Sequence, residues 1–286
     1  MTASDVPATV VVPTRDRPGA LAECLRALEA QRSAPFEIVV VDDASVDARS
    51  VAAVVAGAAH ARVVRGEGRG PAAARNLGAA EARAPVVCFT DDDCRPEPQW
   101  LGALVGRIER GAEAAGGVTV NGRPRDPYAT AAQVVINHLV DSSLDLRTGT
   151  VAFVPTCNLA VRADVFARHR FDETFPSAAG EDREWCTRVS AAGVALELAP
   201  DAVVAHHQDL SLRRYWRQQV RYGRGAMRWR RAAVNGGGRQ PLRFYVELLR
   251  TGVAHGPRVG ALVALAQFAT ATGIALELAT DARRGD

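Results

Sequence analysis

Residues 85–94 read PVVCFTDDDC, and this stretch decides the fold because it joins an apolar strand to a cluster of acidic side chains. The continuous apolar run Val86–Phe89 is typical of a strand that is covered on both faces of a sheet. Asp91, Asp92 and Asp93 follow almost at once. Since like charges repel and Asp disfavours strands, the cluster is costly unless positive charge lies beside it.

Upstream of this stretch, apolar runs alternate with helical patterns. Strands are predicted at residues 8–14, 36–43 and 61–66, and helices at 18–31, 47–58 and 70–83. The alternation predicts an α/β fold with a parallel sheet covered on both faces. The polar residues that follow the strands should then meet at one edge of the sheet, where such folds bind their ligands.

The charge is distributed unevenly along the chain. All 35 basic residues are arginine, and residues 207–286 hold 14 of them against five acidic residues. We therefore divide the chain into a body, residues 1–207, and a basic helical C-terminal region, residues 208–286, which we expect to contact a membrane surface or an acceptor molecule such as a lipid phosphate. Six arginines at helical spacing form one stripe, which suits anionic lipid or a lipid phosphate: Arg214, Arg217, Arg221, Arg224, Arg228 and Arg231. A solvated basic helix is the alternative, and nucleic acid is not expected as a partner.

Five scattered cysteines without a C-x-x-C pair favour reduced thiols, and the first residues lack the pattern of a signal peptide. Residues 259–276 carry no charge but are rich in Ala, Gly and Thr, and they are barely long enough to span a bilayer. We interpret them as a packing or amphipathic helix. The expected location is the cytoplasm, with peripheral contact at the inner face of the cell membrane as a further expectation.

The aspartates are well suited to a hard cation, because carboxylate oxygens are the ligands that Mg²⁺ and Mn²⁺ prefer. Mg²⁺ is commonly held by one or two carboxylates together with substrate phosphates. Asp91 and Asp93 therefore indicate a site for a metal and a diphosphate, although an acidic loop or a helix cap is the alternative. Asp42 or Asp43 could accept hydrogen bonds from a base or ribose, or could cap the next helix.

Six segments in order resemble the family 2 glycosyltransferases of the GT-A fold. They are VVPTRDRP (11–18), VVVDDAS (39–45), GRGPAAARNLG (68–78), VVCFTDDDC (86–94), PTCNLAVRADVF (155–166) and AGEDREWCTRV (179–189). The resemblance covers about residues 8–207. It implies a Rossmann-like, mostly parallel central sheet flanked by helices, followed by a helical C-terminal extension.

The resemblance also implies a role for individual residues. Asp182 of the GED stretch matches the catalytic base, and Mn²⁺ or Mg²⁺ would be held by Asp91, Asp93 and His206. Asn158 belongs to the loop that shapes the acceptor pocket. The residues implied in binding the nucleotide-sugar donor and its surroundings are Pro13, Thr14, Arg15, Asp42, Asp43, Gly70, Arg75, Asp91, Asp92, Asn158 and Glu181.

These residues predict an inverting, metal-dependent glycosyltransferase. It would move a sugar from a nucleoside diphosphate to a hydroxyl of a saccharide or lipid-linked acceptor, in cell-envelope or extracellular polysaccharide or glycolipid synthesis. One base, one metal and one direct displacement imply inversion at the anomeric carbon. Two alternatives stay open: a sugar-phosphate nucleotidyltransferase, and a non-catalytic module that binds nucleotide sugars.

Overall fold

The computed structural model describes residues 6–175, 177, 179–233 and 240–282. The first third alternates strand and helix as predicted: β1 (Ala8–Thr14), α1 (Pro18–Glu29), β2 (Phe36–Asp42), α2 (Ala48–Ala56), β3 (Ala61–Arg65), α3 (Pro71–Ala80) and β4 (Val86–Phe89). Proline opens α1 and α3, where its fixed φ suits the first helical turn and its missing N–H costs nothing.

The middle of the chain adds six further strands and four helices. They are β5 (Cys94–Pro96), α4 (Trp100–Glu109), β6 (Ala114–Asn121), α5 (Pro127–Asp141), β7 (Leu144–Asp145), β8 (Thr150–Val151), β9 (Leu159–Arg162), α6 (Ala163–Arg168), α7 (Glu181–Ala191) and β10 (Leu196–His206). A single 3₁₀ turn, Thr156–Asn158, precedes β9. The C-terminal region forms α8 (Leu212–Ala232), α9 (Leu242–Ala254) and α10 (Pro257–Ala282).

The strands form one sheet in the order β3-β2-β1-β4-β9-β6-β10-β8-β7, and β5 pairs with β10. Neighbours from β3 to β4 are parallel. Because β9 is antiparallel to both β4 and β6, and β6 is parallel to β10, the strands β1 to β4, β6 and β10 run in one direction. Their carboxyl ends therefore lie at one edge, which confirms the α/β class and the mostly parallel sheet.

Helices cover both faces of the sheet, so its central strands are almost wholly buried. One apolar cluster joins the sheet to α1, α2 and α4, and it contains Leu28, Trp100 and Leu104. The other joins the sheet to α3, α6 and α7, and it contains Phe89 and Trp185. Burial of these large side chains supplies the main stabilisation of the body.

A third apolar cluster joins the body to the C-terminal region. Ala131, Ala132 and Val134 of α5 pack with residues of α8, α9 and α10. Among the described residues, one helix is long and apolar enough to cross a membrane by length and composition, over residues 257–280. Its buried positions, Val259, Leu262, Val263, Ala266 and Ala269, lie within the protein, as expected for a packing helix.

Candidate active site

The three aspartates that follow β4 each have a different environment. Asp92 is fully buried, accepts a hydrogen bond from Thr14 Oγ1 at 2.7 Å, and forms an ion pair with Arg17. Thr14 ends β1 and Arg17 immediately precedes α1, so the end of one strand and the start of one helix fix this carboxylate. Burial raises the pKa of Asp92 to about 7, because the Arg17 charge only partly offsets the loss of solvent.

Asp93 lies between two cations. Arg17 Nη1 donates to its Oδ2 at 2.9 Å, and His206 Nε2 lies 3.3 Å from its Oδ1. Burial alone would raise the pKa of Asp93, but His206 and Arg17 outweigh burial and hold that pKa well below its usual range. Burial alone would likewise lower the pKa of His206, yet Asp93 raises it to about 9.

Short strand pairing brings His206 to this position. β5 begins at Cys94, directly after the aspartates, and pairs antiparallel with the end of β10, so that Cys94 faces His206. The backbone N–H of His207 donates to the Asp93 carbonyl oxygen at 2.8 Å. The register of β5 on β10 therefore places His206, rather than His207, beside Asp93.

Arg75 connects the third aspartate to a distant part of the chain. Its guanidinium is 3% exposed and donates to Asp91 Oδ1 at 2.7 Å and to Glu181 Oε1 at 3.2 Å. Burial and the neighbouring Asp182 charge raise the pKa of Glu181 to about 7, against the opposing effect of Arg75. Arg75 therefore holds the segment after β4 against the first turn of α7.

Asp182 lies in that first turn, one residue beyond Glu181. Gly180 precedes the helix with φ of +93°, and a Cβ at Gly180 would lie 2.6 Å from the Gly225 carbonyl oxygen of α8. Glycine is required here both for the left-handed backbone and for the close approach of α8. Burial raises the pKa of Asp182, although its Oδ1 accepts a hydrogen bond from the Arg183 N–H at 2.8 Å.

A cavity of about 320 Å³ brings several of these groups together. Asp91, Arg75, His206, Glu181 and Asp182 all contribute to its wall. The rest of the wall comes from the loop before β9 and from α5, α8, α9 and α10, and it is largely apolar. The predicted base and two of the predicted metal ligands, Asp91 and His206, therefore line one cavity.

The residues that follow β2 shape a loop. Asp43 accepts hydrogen bonds from the N–H groups of Gly68 and Gly70, each at 2.9 Å, and so fixes the Gly-rich turn before α3. Asp42 accepts from the Ser45 N–H and pairs with Arg65. These two predicted donor-binding carboxylates lie at the same sheet edge as Thr14, since Thr14 and Asp42 are register partners.

Three other residues predicted to bind the donor or shape the acceptor pocket are not part of the cavity wall. Pro13 belongs to β1, and the side chain of Arg15 is half-exposed, 3.8 Å from Asp16. Asn158 is fully buried and its amide is satisfied inside the protein: Oδ1 accepts from Trp100 Nε1, and Nδ2 donates to the carbonyl oxygens of Val118 and Ala202. Its neighbours Thr156 and Cys157 line the cavity in its place.

The donor set fits a divalent cation. Asp93 and His206 offer an oxygen and a nitrogen close together, and Asp91, about one quarter exposed, belongs to the same short segment. Behind His206, Cys94 and Cys157 place their sulfur atoms within 4.8 Å of its imidazole. Burial raises the pKa of Cys94 well above its usual value, so that thiol stays protonated at neutral pH and is a poor ligand. Carboxylate oxygens suit Mn²⁺ or Mg²⁺, and an imidazole nitrogen beside them favours Mn²⁺ of the two, because Mg²⁺ prefers oxygen ligands.

Solved structures with a similar fold include glycosyltransferases. A mannosyltransferase from Pyrobaculum calidifontis, in complex with GDP-mannose and Mn²⁺, has a TM-score of 0.59 and 21% identity, covering 96% of this chain and 79% of that one. Residues 1–349 of S. aureus TarS, in complex with UDP, give a TM-score of 0.54 and 19% identity, covering 98% and 92%. These likenesses confirm the GT-A fold.

Curated relatives carry the same activity in their names. The pre-mycofactocin glycosyltransferase of Mycobacterium tuberculosis is 30% identical over 230 residues, which is 76% of this chain and 46% of that protein. Glycosyltransferase AglE of Haloferax volcanii is 28% identical over 232 residues, 76% of this chain and 72% of that protein. The chain thus spans about half the length of the mycobacterial relative. The family model described as glycosyl transferase family 2 matches residues 9–170, and the chain belongs to this family.

Proposed function

We propose that the chain is an inverting, metal-dependent glycosyltransferase that moves a sugar from a nucleoside diphosphate to a hydroxyl of its acceptor, in the synthesis of a cell-envelope or extracellular polysaccharide or a glycolipid. The observation that carries the proposal is the Arg75 bridge. It joins Asp91, beside the proposed metal ligand Asp93, to the turn that holds Asp182.

Asp182 is the proposed general base. Burial raises its pKa, so its carboxylate is more basic than an exposed Asp and better matched to accepting a proton near neutral pH. The acceptor hydroxyl would lose its proton to Asp182 as its oxygen bonds to the anomeric carbon. The bond from that carbon to the diphosphate oxygen breaks in the same step, which inverts the configuration.

Charge on the departing diphosphate needs positive partners. Asp93, Asp91 and His206 are the residues that would hold a divalent ion, and such an ion, when bound, stabilises negative charge on phosphate oxygens. Arg17 lies against Asp92 and Asp93 and adds a fixed positive charge at the same edge. Thr14, Asp42 and the Gly68–Gly70 turn are the groups proposed to hold the nucleoside.

The test replaces Asp182 by Asn, which keeps the shape and removes the base. We expect transfer to fall by about 10²–10⁴-fold, the usual contribution of a general base, while nucleotide binding persists. Asp201→Asn is the matched control, because Asp201 is exposed on β10. Full transfer by Asp182→Asn would refute the assignment. Release of pyrophosphate from a nucleoside triphosphate and a sugar phosphate would instead support a nucleotidyltransferase.

A further inference from the structure

The cavity beside Asp182 has a second half that the proposed chemistry does not use. Its wall is made mostly of apolar side chains from helices that follow or flank the body: Ile136 and Leu139 of α5, Tyr222 and Ala226 of α8, Phe244 and Leu248 of α9, and Ile274 of α10. A nucleoside or a sugar has hydroxyls that would lose solvent against such a surface.

The cavity is elongated along α8. Gln219, Tyr222, Ala226 and Arg230 all line it, and their spacing places them on one face of the helix. The distance along the axis from Gln219 to Arg230 is about 16 Å at 1.5 Å per residue. The space is therefore longer than one sugar ring needs.

Several buried polar atoms in the cavity wall have no hydrogen-bond partner among the described residues. They are Gln219 Nε2, Arg230 Nε, Thr119 Oγ1 and Glu181 Oε2. Gln219 is 1% exposed and Thr119 is 5% exposed. Because a buried polar group needs a hydrogen-bond partner, these atoms are available to water or to oxygen-bearing groups of a ligand in the cavity.

The donor nucleotide does not account for this half. Thr14, Asp42 and Asp43, proposed to hold the nucleoside, are not among the residues of the cavity wall, whereas Asp182 is. The occupant must bring a hydroxyl to Asp182, cover the apolar wall and meet the unpartnered donors on α8.

We propose that this cavity is the acceptor site and that the acceptor carries an aromatic or hydrocarbon group next to the hydroxyl that is glycosylated. The inference rests on the proposed transfer reaction for the role of Asp182. It assigns α8, α9 and α10 to the recognition of the acceptor, with Tyr222 and Ala226 against its apolar group and Gln219 and Arg230 against its oxygens.

A binding experiment tests the apolar half without any donor. The probe is anilinonaphthalene sulfonate, which fluoresces in apolar sites. We expect one binding site in the full chain, with affinity reduced about tenfold or more in Ala226→Trp, whose new ring fills the cavity. Val246→Ser is the control, because Val246 lies in an exposed apolar row on the outer face of α9. Absence of binding, or loss of binding in Val246→Ser but not in Ala226→Trp, would overturn the proposal.

A transfer experiment tests the role of the site. Nitrophenyl glycosides are compared with methyl glycosides of the same sugars across a panel of donors with Mn²⁺. We expect kcat/KM to be about tenfold or more higher for the nitrophenyl series, and this ratio to fall towards one in Ala226→Trp. Equal rates for the two series would overturn the inference and leave the transfer reaction standing. Absence of both transfer and donor hydrolysis, with the probe still bound at Ala226, would refute the transfer reaction and the acceptor role together.

Discussion

Each carboxylate after β4 is matched to a protein cation. Asp91 pairs with Arg75, Asp92 with Arg17, and Asp93 with both Arg17 and His206. The repulsion inherent in three adjacent aspartates is therefore offset inside the protein. A metal that binds Asp93 must share this carboxylate with Arg17 and must take His206 in its neutral form, because metal ligands bind deprotonated.

The substitution Arg17→Gln tests whether Arg17 competes with a metal ion for the Asp93 carboxylate. Removal of the guanidinium leaves Asp92 buried without its main partner, so we expect a loss of about 1–3 kcal/mol in unfolding free energy, less than for a fully buried pair because Arg17 is half-exposed. Mn²⁺ alone should then raise the melting temperature more in the variant than in the wild type, because Asp93 no longer has to be shared with Arg17. Arg26→Gln, a surface change on the helix that Arg17 precedes, should alter stability by less than about 0.5 kcal/mol. An equal Mn²⁺ response in both chains would contradict the competition.

The raised pKa of Glu181 predicts how the stability of the folded protein changes with pH. The pKa of Glu181 is about 7 in the folded chain against its ordinary value of 4.5, so the folded state holds the proton more tightly than the unfolded state does. The stability that this group contributes is complete below pH 4.5 and is lost as pH rises through about 7. Glu181→Gln should remove this dependence, so its stability relative to wild type should increase from pH 5 to pH 8, measured by urea denaturation. A constant difference across that range would contradict the assignment.

The sequence predicted which acidic residues line the site but not their partners. Asp91 could be placed at the sheet edge because strand ends meet there, whereas Asp182 and His206 followed only from the resemblance to family 2 glycosyltransferases. Arg17 follows β1 and precedes α1, and nothing in its local pattern indicates that it turns back to Asp92 and Asp93. For Asn158 the motif could be recognised, but the hydrogen bonds of its side chain could not be predicted. Its amide bonds to Trp100, Val118 and Ala202, which are far away along the chain.

At the scale of elements, α8 and α10 pack with their backbones in close contact. A Cβ at Gly223 would lie 2.0 Å from the Thr270 carbonyl oxygen, and one at Gly273 would lie 2.0 Å from that of Val220. The helical spacing of the arginines predicted α8, and the uncharged run 259–276 predicted a helix at the position of α10. Their contact could not be predicted, since glycines within a helical pattern indicate weakness rather than a neighbouring helix.

Gly273→Ala tests the contact of these helices. The added methyl must push α10 away from α8, and we expect a loss of about 1–3 kcal/mol in unfolding free energy, measured by denaturant titration. Gly102→Ala in α4 is the control, because a Cβ at Gly102 would lie 3.9 Å from its nearest neighbours, in Arg32 and Ser33. That change should cost nothing and could add about 0.5–1 kcal/mol, since Ala favours helix. Equal effects of the two substitutions would show that the helices are not packed as described.

At the scale of the whole molecule, the C-terminal helices α8, α9 and α10 pack against the body and form an apolar cluster with it. Three alanine and valine positions of α5 belong to the same apolar cluster as Tyr215, Phe244 and Leu248. A Cβ at Gly225 would lie 2.2 Å from the Ala179 carbonyl oxygen, so α8 also abuts the turn before Asp182. Two of the striped arginines, Arg224 and Arg228, pair with Glu277 of α10 and so serve this packing.

A chain of residues 1–207 should therefore fail to fold as an independent unit, although the charge pattern places a boundary there. Without residues 208–286 the apolar face of α5 meets water, and at about 25 cal/mol per Å² each ~200 Å² of apolar surface so exposed would cost about 5 kcal/mol, the lower end of a domain's stability. We expect no cooperative thermal transition by circular dichroism, and recovery of one when residues 208–286 are co-expressed as a separate chain. A cooperative transition of residues 1–207 alone, near the melting temperature of the full chain, would show instead that the body is a domain and the helices an appendage.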